Sequence, residues 1–171
     1  MRTLVLGGIR SGKSQWAERL LAGCDQVRYV ATGRSDSDDE FAARVSVHRD
    51  RRPAHWSTVE TAEVATELRA APTPTLIDDI GGWLVATMDR QNAWDGGSVS
   101  SDVAELTSAV ADFDAPLALV SPEVGLTVVP ATASGRLFAD ELGTLNQQLA
   151  AVCDRVVLVV AGQPLTIKEP R

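Results

Sequence analysis

An α/β domain built on a parallel sheet is the fold class this sequence predicts, and three observations predict it. Short apolar runs rich in β-branched residues recur along the 171 residues. They read as continuous rather than alternating, as strands covered on both faces do. Between them lie amphipathic stretches of helical period, the alternation expected of βαβ units. The chain length suits one domain over 1–171 with a core that needs no staples.

Taken in order, strands are predicted over 2–6 (RTLVL), 26–31 (QVRYVA), 74–79 (PTLIDD), 116–121 (PLALVS) and 155–161 (RVVLVVA). Helical patterns fill 13–22, 38–50, 58–71, 82–90, 100–113 and 135–153. Ser37 with Glu40, and Ser57 with Glu60, match the S-x-x-E capping box and predict two helix starts. Segment 91–99 is a polar, glycine-containing surface loop. Segment 122–134 (PEVGLTVVPATAS) is long and apolar for a βα connection, which predicts a functional loop.

Composition excludes several classes. A net charge of −7 argues against a nucleic-acid or membrane surface, so any polyanion must be held by local geometry. The longest apolar run, 156–162, is too short to span a bilayer, and no charged-then-apolar leader is legible. Cys24 and Cys153 lie far apart, without histidines at metal-ligand spacing, and read as packed thiols of a reducing compartment. A cytoplasmic protein is expected.

Of the 16 basic side chains only Lys13 and Lys168 are lysines, and Lys13 lies in Gly7-Gly8-Ile9-Arg10-Ser11-Gly12-Lys13-Ser14. That stretch matches G-x-x-x-x-G-K-[ST] between a predicted strand and a predicted helix, the context this motif requires. Glycines let successive backbone N–H groups turn inward on phosphate oxygens, and the helix start adds partial positive charge. A compact ammonium reaches the β and γ oxygens as a point charge, where a planar guanidinium is directed differently. The Ser14 hydroxyl is placed to ligate Mg²⁺. Asp78 and Asp79 end the third apolar strand, where a Walker-B carboxylate sits. Asp78 is the candidate for Mg²⁺; the alternative for either is to cap the next helix at Gly81. The chain is therefore expected to bind a nucleoside triphosphate.

Both histidines, His48 and His55, fall in RVSVHRDRRPAHW. Phe41, Val45 and His48 share one helical face, and Arg44, Arg49, Arg51 and Arg52 surround the histidine with a cationic density suited to a triphosphate. A neutral imidazole can attack phosphorus, although a lone helical histidine is more often a packed one. Spacing alone does not choose between them.

GGIRSGKS, YVATG (29–33), DDEFAARVSVHRDRRPAHWSTVE (38–60), LIDDIGGWL (76–84), VSPEVGLTVVP (120–130), GTLNQQLA (143–150) and VVLVVAGQPLTIK (156–168) follow one another in the chain. Together they resemble the bifunctional adenosylcobinamide kinase / adenosylcobinamide-phosphate guanylyltransferase family of cobalamin biosynthesis. The resemblance implies a P-loop NTPase-like, mostly parallel sheet with one antiparallel strand, helices on both faces, and a homotrimer. It implies phosphoryl transfer from a nucleoside triphosphate to adenosylcobinamide. Transfer of GMP from GTP to adenosylcobinamide phosphate then follows, through a GMP–histidine intermediate. His48 falls on the family's nucleophile and His55 on a supporting histidine. Nucleotide contacts fall on Gly7 to Ser14, on Ala31, Thr32 and Gly33, on Arg49, Asp50, Arg51 and Arg52, and on Glu60 and Asp78. Many relatives carry Glu at the position of Asp78, another histidine at that of Val47, and N-E-V-G-x-G-I-V-P where this chain has Pro122 and Thr127.

A single-activity small-molecule kinase would account for the P-loop and Asp78 while leaving His48 and its arginines idle. A GTPase-type switch would select guanine with an N-K-x-D loop, and the sequence contains no Asn-Lys pair.

Overall fold

The structure, a computed structural model, describes residues 1–32 and 53–170. Its centre is a seven-stranded sheet with the order β3-β2-β4-β5-β1-β6-β7. The strands are β1 (Arg2–Gly7), β2 (Val27–Ala31), β3 (Trp56–Glu60), β4 (Thr75–Asp78), β5 (Leu117–Pro122), β6 (Arg155–Val160) and β7 (Gln163–Lys168). All neighbours run parallel except β7, which runs antiparallel to β6. The described helices are α1 (Lys13–Leu21), α2 (Val64–Ala70), α3 (Ile80–Arg90), α4 (Ser100–Ala111) and α5 (Ala133–Val152).

Strand residues alternate between two apolar layers. Val5, Tyr29, Leu76, Ala118 and Val157 face α1, packing with its Ala17 and Leu21. Leu4, Val30, Ile77, Leu119 and Val156 face the other way, against Leu68 of α2, Leu84 of α3, Leu106 of α4 and Leu145 of α5. Helices therefore cover both faces, and the continuous apolar reading of the strands is explained. Fully burying each of these valine, leucine and isoleucine side chains contributes about 1.5–3 kcal/mol relative to exposure.

Two expectations need correction. The pattern over 58–71 predicts one helix, but 56–60 is strand β3 and only Val64–Ala70 is helical. Ser57 and Glu60 are strand residues paired in register with Arg28 and Ala31, so their capping-box spacing caps nothing. Pairing along β2, with Trp56 buried and β-branched Thr58 and Val59 between, outweighs the local helix signal. The second addition is β7, which the apolar pattern misses because most of its residues are exposed and Pro164 interrupts it. It is the single antiparallel strand the resemblance implies. Val160 pairs with Gln163, and Ala161 (φ 50°) and Gly162 (φ 77°) make the two-residue turn between them. Segment 91–99 contains a short 3-10 turn, Ala93–Asp95. The helix expected over 38–50, with Ser37 and Glu40, lies outside the described residues.

Candidate nucleotide site

The site is built at the carboxyl ends of β1, β2 and β4, where ligands bind in open α/β sheets. β1 ends at Gly7 and α1 begins at Lys13, leaving a tight loop between them. A Cβ on Gly7 would lie 2.4 Å from Ser11 Oγ and 2.8 Å from the Val159 carbonyl, so only glycine fits. Gly12 has φ 91° and its missing Cβ would sit 3.1 Å from Gly162 Cα, a second position closed to side chains. The Ser11 N–H donates to the Gly8 carbonyl (3.3 Å), and the Gly162 N–H donates to the Ser11 carbonyl (2.7 Å). The β6–β7 turn thus buttresses the loop.

Gly12 caps α1 without a side-chain hydrogen bond, and no acidic residue stands in the first turn. Its leading N–H groups and partial positive charge remain directed at the loop, which suits an anion. Lys13 Nζ donates to the Gly8 carbonyl (3.2 Å), folded over the same loop. Ser14, one residue further on, is half-buried, whereas Gly8, Ile9 and Arg10 are exposed on the outer side.

Opposite stands the end of β4. Tyr29 Oη donates to Asp78 Oδ2 (2.8 Å), holding that carboxylate at the strand end beside Ala31 and Val120. Asp79 has the other role the sequence allowed: its Oδ1 accepts from the Gly81 N–H (2.6 Å) and caps α3. Burial, and next the Asp78 charge, raise the Asp79 carboxyl above its ordinary value, against the lowering pull of the Gly81 N–H and of Lys13. Lys13 and the aspartate pair therefore share one electrostatic neighbourhood.

Ala31 and Thr32 follow the end of β2. The buried Thr32 hydroxyl accepts from the Asp79 N–H (2.9 Å) and donates to the Asp79 carbonyl, locking β2 to the β4–α3 junction. Glu60 ends β3 in register with Ala31 and is exposed. The structure thus brings Gly7 to Ser14, Ala31, Thr32, Glu60 and Asp78 to one end of the sheet. His55 is exposed in the turn before β3. Gly33, His48, Arg49, Asp50, Arg51 and Arg52 lie outside the described residues. Sequence reasoning missed Tyr29, whose hydroxyl touches Asp78, and Gly162, which supports Ser11. Neither carries a signal in its own neighbourhood.

A family model described as cobinamide kinase / cobinamide phosphate guanyltransferase matches residues 3–167. The chain belongs to this family. The bifunctional adenosylcobalamin biosynthesis protein CobU of Salmonella typhimurium LT2 is 38% identical over 98% of this chain and 100% of its own length. CobP of Pseudomonas aeruginosa PAO1, described in the same words, is 39% identical over 98% of both chains. An ATPase from the type III secretion system of pathogenic bacteria superposes with a TM-score of 0.59 at 12% identity. It covers 92% of this chain and 50% of the ATPase, a likeness of fold alone. Of the departures from the family pattern, Pro122 fits the fold, while Val47 lies outside the described residues. Pro122 ends β5 in register with Gly7, and its ring packs where a Cβ on Gly81 would otherwise meet it at 2.9 Å.

Proposed function

We propose that this chain is a single-domain bifunctional transferase. It phosphorylates adenosylcobinamide with a nucleoside triphosphate and then guanylylates the product with GTP. The observation that carries this reading is the glycine-lined cradle between β1 and α1, facing Asp78, in a chain the family model matches over 3–167. The α1 N-terminus and Lys13 hold the triphosphate oxygens. In the first reaction the acceptor hydroxyl oxygen attacks the γ-phosphorus. The bond to the β–γ bridging oxygen breaks, a nucleoside diphosphate leaves, and the hydroxyl proton is released. Lys13 counters charge spreading over the transferring group.

Ser14 and Asp78 would hold Mg²⁺, which supplies charge neutralisation across the phosphates. Mg²⁺ takes few protein ligands beside phosphate and water, and one hydroxyl with one carboxylate suits that habit. Among the described residues no group of three or more His, Cys, Asp or Glu could hold a metal ion, so a dedicated cage is not the alternative there.

In the second reaction a ring nitrogen of His48 attacks the α-phosphorus of GTP, forming a P–N bond as pyrophosphate leaves. An oxygen of adenosylcobinamide phosphate then attacks that phosphorus, the P–N bond breaks, and His48 is regenerated. Two displacements spare the acceptor from meeting GTP in one crowded step. Arg49, Arg51 and Arg52, with Gly33, Asp50 and Glu60, complete the nucleotide contacts in this reading, and His55 supports the nucleophile. The family resemblance supports a homotrimer. A cytoplasmic location accords with the finding that no helix among the described residues is long and apolar enough to cross a membrane.

The test supplies the protein with adenosylcobinamide, ATP, GTP and Mg²⁺ and identifies products by mass. Adenosylcobinamide phosphate and adenosylcobinamide-GDP are expected. Incubation with α-labelled GTP alone should leave acid-labile, alkali-stable label on the protein. Phosphorylated product without protein-bound label would instead support a single-activity kinase.

A further inference from the structure

The connection from β5 to α5 is anchored at both ends. At its start the Glu123 N–H donates to the Gly7 carbonyl (3.1 Å), tying the connection to the last residue of β1. Both Glu123 carboxylate oxygens are engaged, by the N–H groups of Gly125 and Leu126 at 3.0 Å each. Beneath, the buried Asn146 of α5 accepts from Ser121 Oγ (2.6 Å) and donates to the Pro122 carbonyl (3.0 Å). At the far end Arg136 Nη1 donates to the carbonyls of Pro130 (3.0 Å) and Ala131 (2.8 Å), and Thr132 Oγ1 caps α5. Between these anchors Leu126, Val128 and Val129 stand 77%, 91% and 73% exposed. Three large apolar side chains exposed to water along one anchored connection are the kind of surface that marks a binding site.

Its position narrows the occupant. β5 lies between β4, which ends in Asp78, and β1, which runs into the phosphate cradle. The connection therefore rises between the two strand ends that form the nucleotide site, beside the cradle whose phosphate an acceptor must reach. Residues 124–135 include no charged side chain, in a chain of net charge −7. Such a surface complements neither a basic nor an acidic partner. It suits a bulky molecule with an uncharged, methyl-bearing periphery, and the corrin ring of cobinamide is one.

We propose that Leu126, Val128 and Val129 form the docking surface for the corrin ring of the cobinamide acceptor, holding it while its hydroxyl reaches the γ-phosphate. The inference rests on the phosphorylation of cobinamide set out above. These side chains take no part in bond making; they set affinity for the acceptor.

The test compares the wild-type chain with Leu126→Ser/Val128→Ser/Val129→Ser. It measures KM for adenosylcobinamide and for ATP, direct cobinamide binding by calorimetry, GMP labelling by GTP without corrinoid, and oligomeric state by sedimentation. The expected result is a KM and a dissociation constant for the corrinoid raised about tenfold or more, on the scale of partial burial of three aliphatic side chains. ATP KM, GMP labelling and oligomeric state should match wild type. Unchanged corrinoid affinity would overturn the docking surface, and so would a smaller oligomer, which would assign the patch to contact with a second copy. Failure of the wild-type chain to phosphorylate cobinamide would instead remove the function beneath the inference. Val128→Ser alone repeats the comparison if the triple variant misfolds.

Discussion

The phenol of Tyr29 donates a 2.8 Å hydrogen bond to the carboxylate of Asp78 from the neighbouring strand, two residues before the strand end. The bond ties the candidate Mg²⁺ ligand to the sheet rather than to a loop. An outer partner that orients a ligating carboxylate costs about 10–100-fold in metal affinity or activity when removed. Tyr29→Phe keeps the buried ring and deletes only the hydroxyl. It should leave nucleotide binding near wild type and raise the Mg²⁺ concentration for half-maximal phosphoryl transfer about tenfold. A Mg²⁺ titration of both proteins checks this. An unchanged midpoint would mean that Asp78 is oriented by something else.

Lys13 and His48 predict opposite patterns of loss. Lys13 folds over the cradle through the Gly8 carbonyl, and in the proposed function both reactions hold the triphosphate there. Lys13→Ala should therefore lower both activities by about 10²–10³, the scale of removing one charge-stabilising group. His48→Ala should abolish covalent GMP incorporation while phosphorylation continues. Parallel assays of phosphorylated acceptor and protein-bound label separate the two. Guanylylation undiminished in Lys13→Ala would refute a shared cradle.

These assignments were legible in the sequence to different depths. Gly7 to Ser14 could be read because the motif encodes its own geometry: glycines where a Cβ would strike Ser11 or Gly162, lysine at the helix start. The core strands could be read because each is buried on both faces. β3 could not, since Ser57 and Glu60 imitate a helix start and only pairing with β2 reveals a strand. β7 was hidden because its exposed residues carry little apolar pattern. Tyr29 with Asp78, Gly162 with Ser11, and Asn146 with Ser121 are contacts between distant segments. No local window of sequence contains both partners of any of them.

Arg2 and Asp154 predict an acid-sensitive seam. Asp154 accepts from the Arg2 N–H (2.7 Å) and from Arg2 Nη2 (2.8 Å), joining the starts of β1 and β6. The Arg2 side chain, and next its backbone N–H, lower the Asp154 carboxyl from 3.8 to about 2. The folded value lies below the unfolded one, so the stabilisation is present above about pH 4 and is lost as pH falls toward 2. The pair is partly solvated, and about 1 kcal/mol is expected. Asp154→Asn should be less stable than wild type by that amount at pH 7. The difference should close between pH 4 and pH 2, as followed by urea unfolding at each pH.

The second lysine has a structural use that its position near the end of β7 does not suggest. Lys168 Nζ donates to the carbonyls of Ala150 (2.8 Å), Ala151 (3.1 Å) and Cys153 (2.6 Å). These carbonyls lie at the carboxyl end of α5, whose last turn contains no basic residue. One ammonium thus satisfies helix-end acceptors, balances the helix dipole, and fastens the antiparallel edge strand to α5. Its three donors on a flexible stem suit converging carbonyls better than a planar guanidinium would. Lys168→Met preserves the stem and removes the donors, leaving those carbonyls short of partners at a cost of about 1–3 kcal/mol. Urea unfolding should show that loss, with KM values for nucleotide and corrinoid unchanged at temperatures where the variant stays folded. Lys168→Arg should recover only part of it. Stability equal to wild type in Lys168→Met would mean that water caps α5 as well as the lysine does.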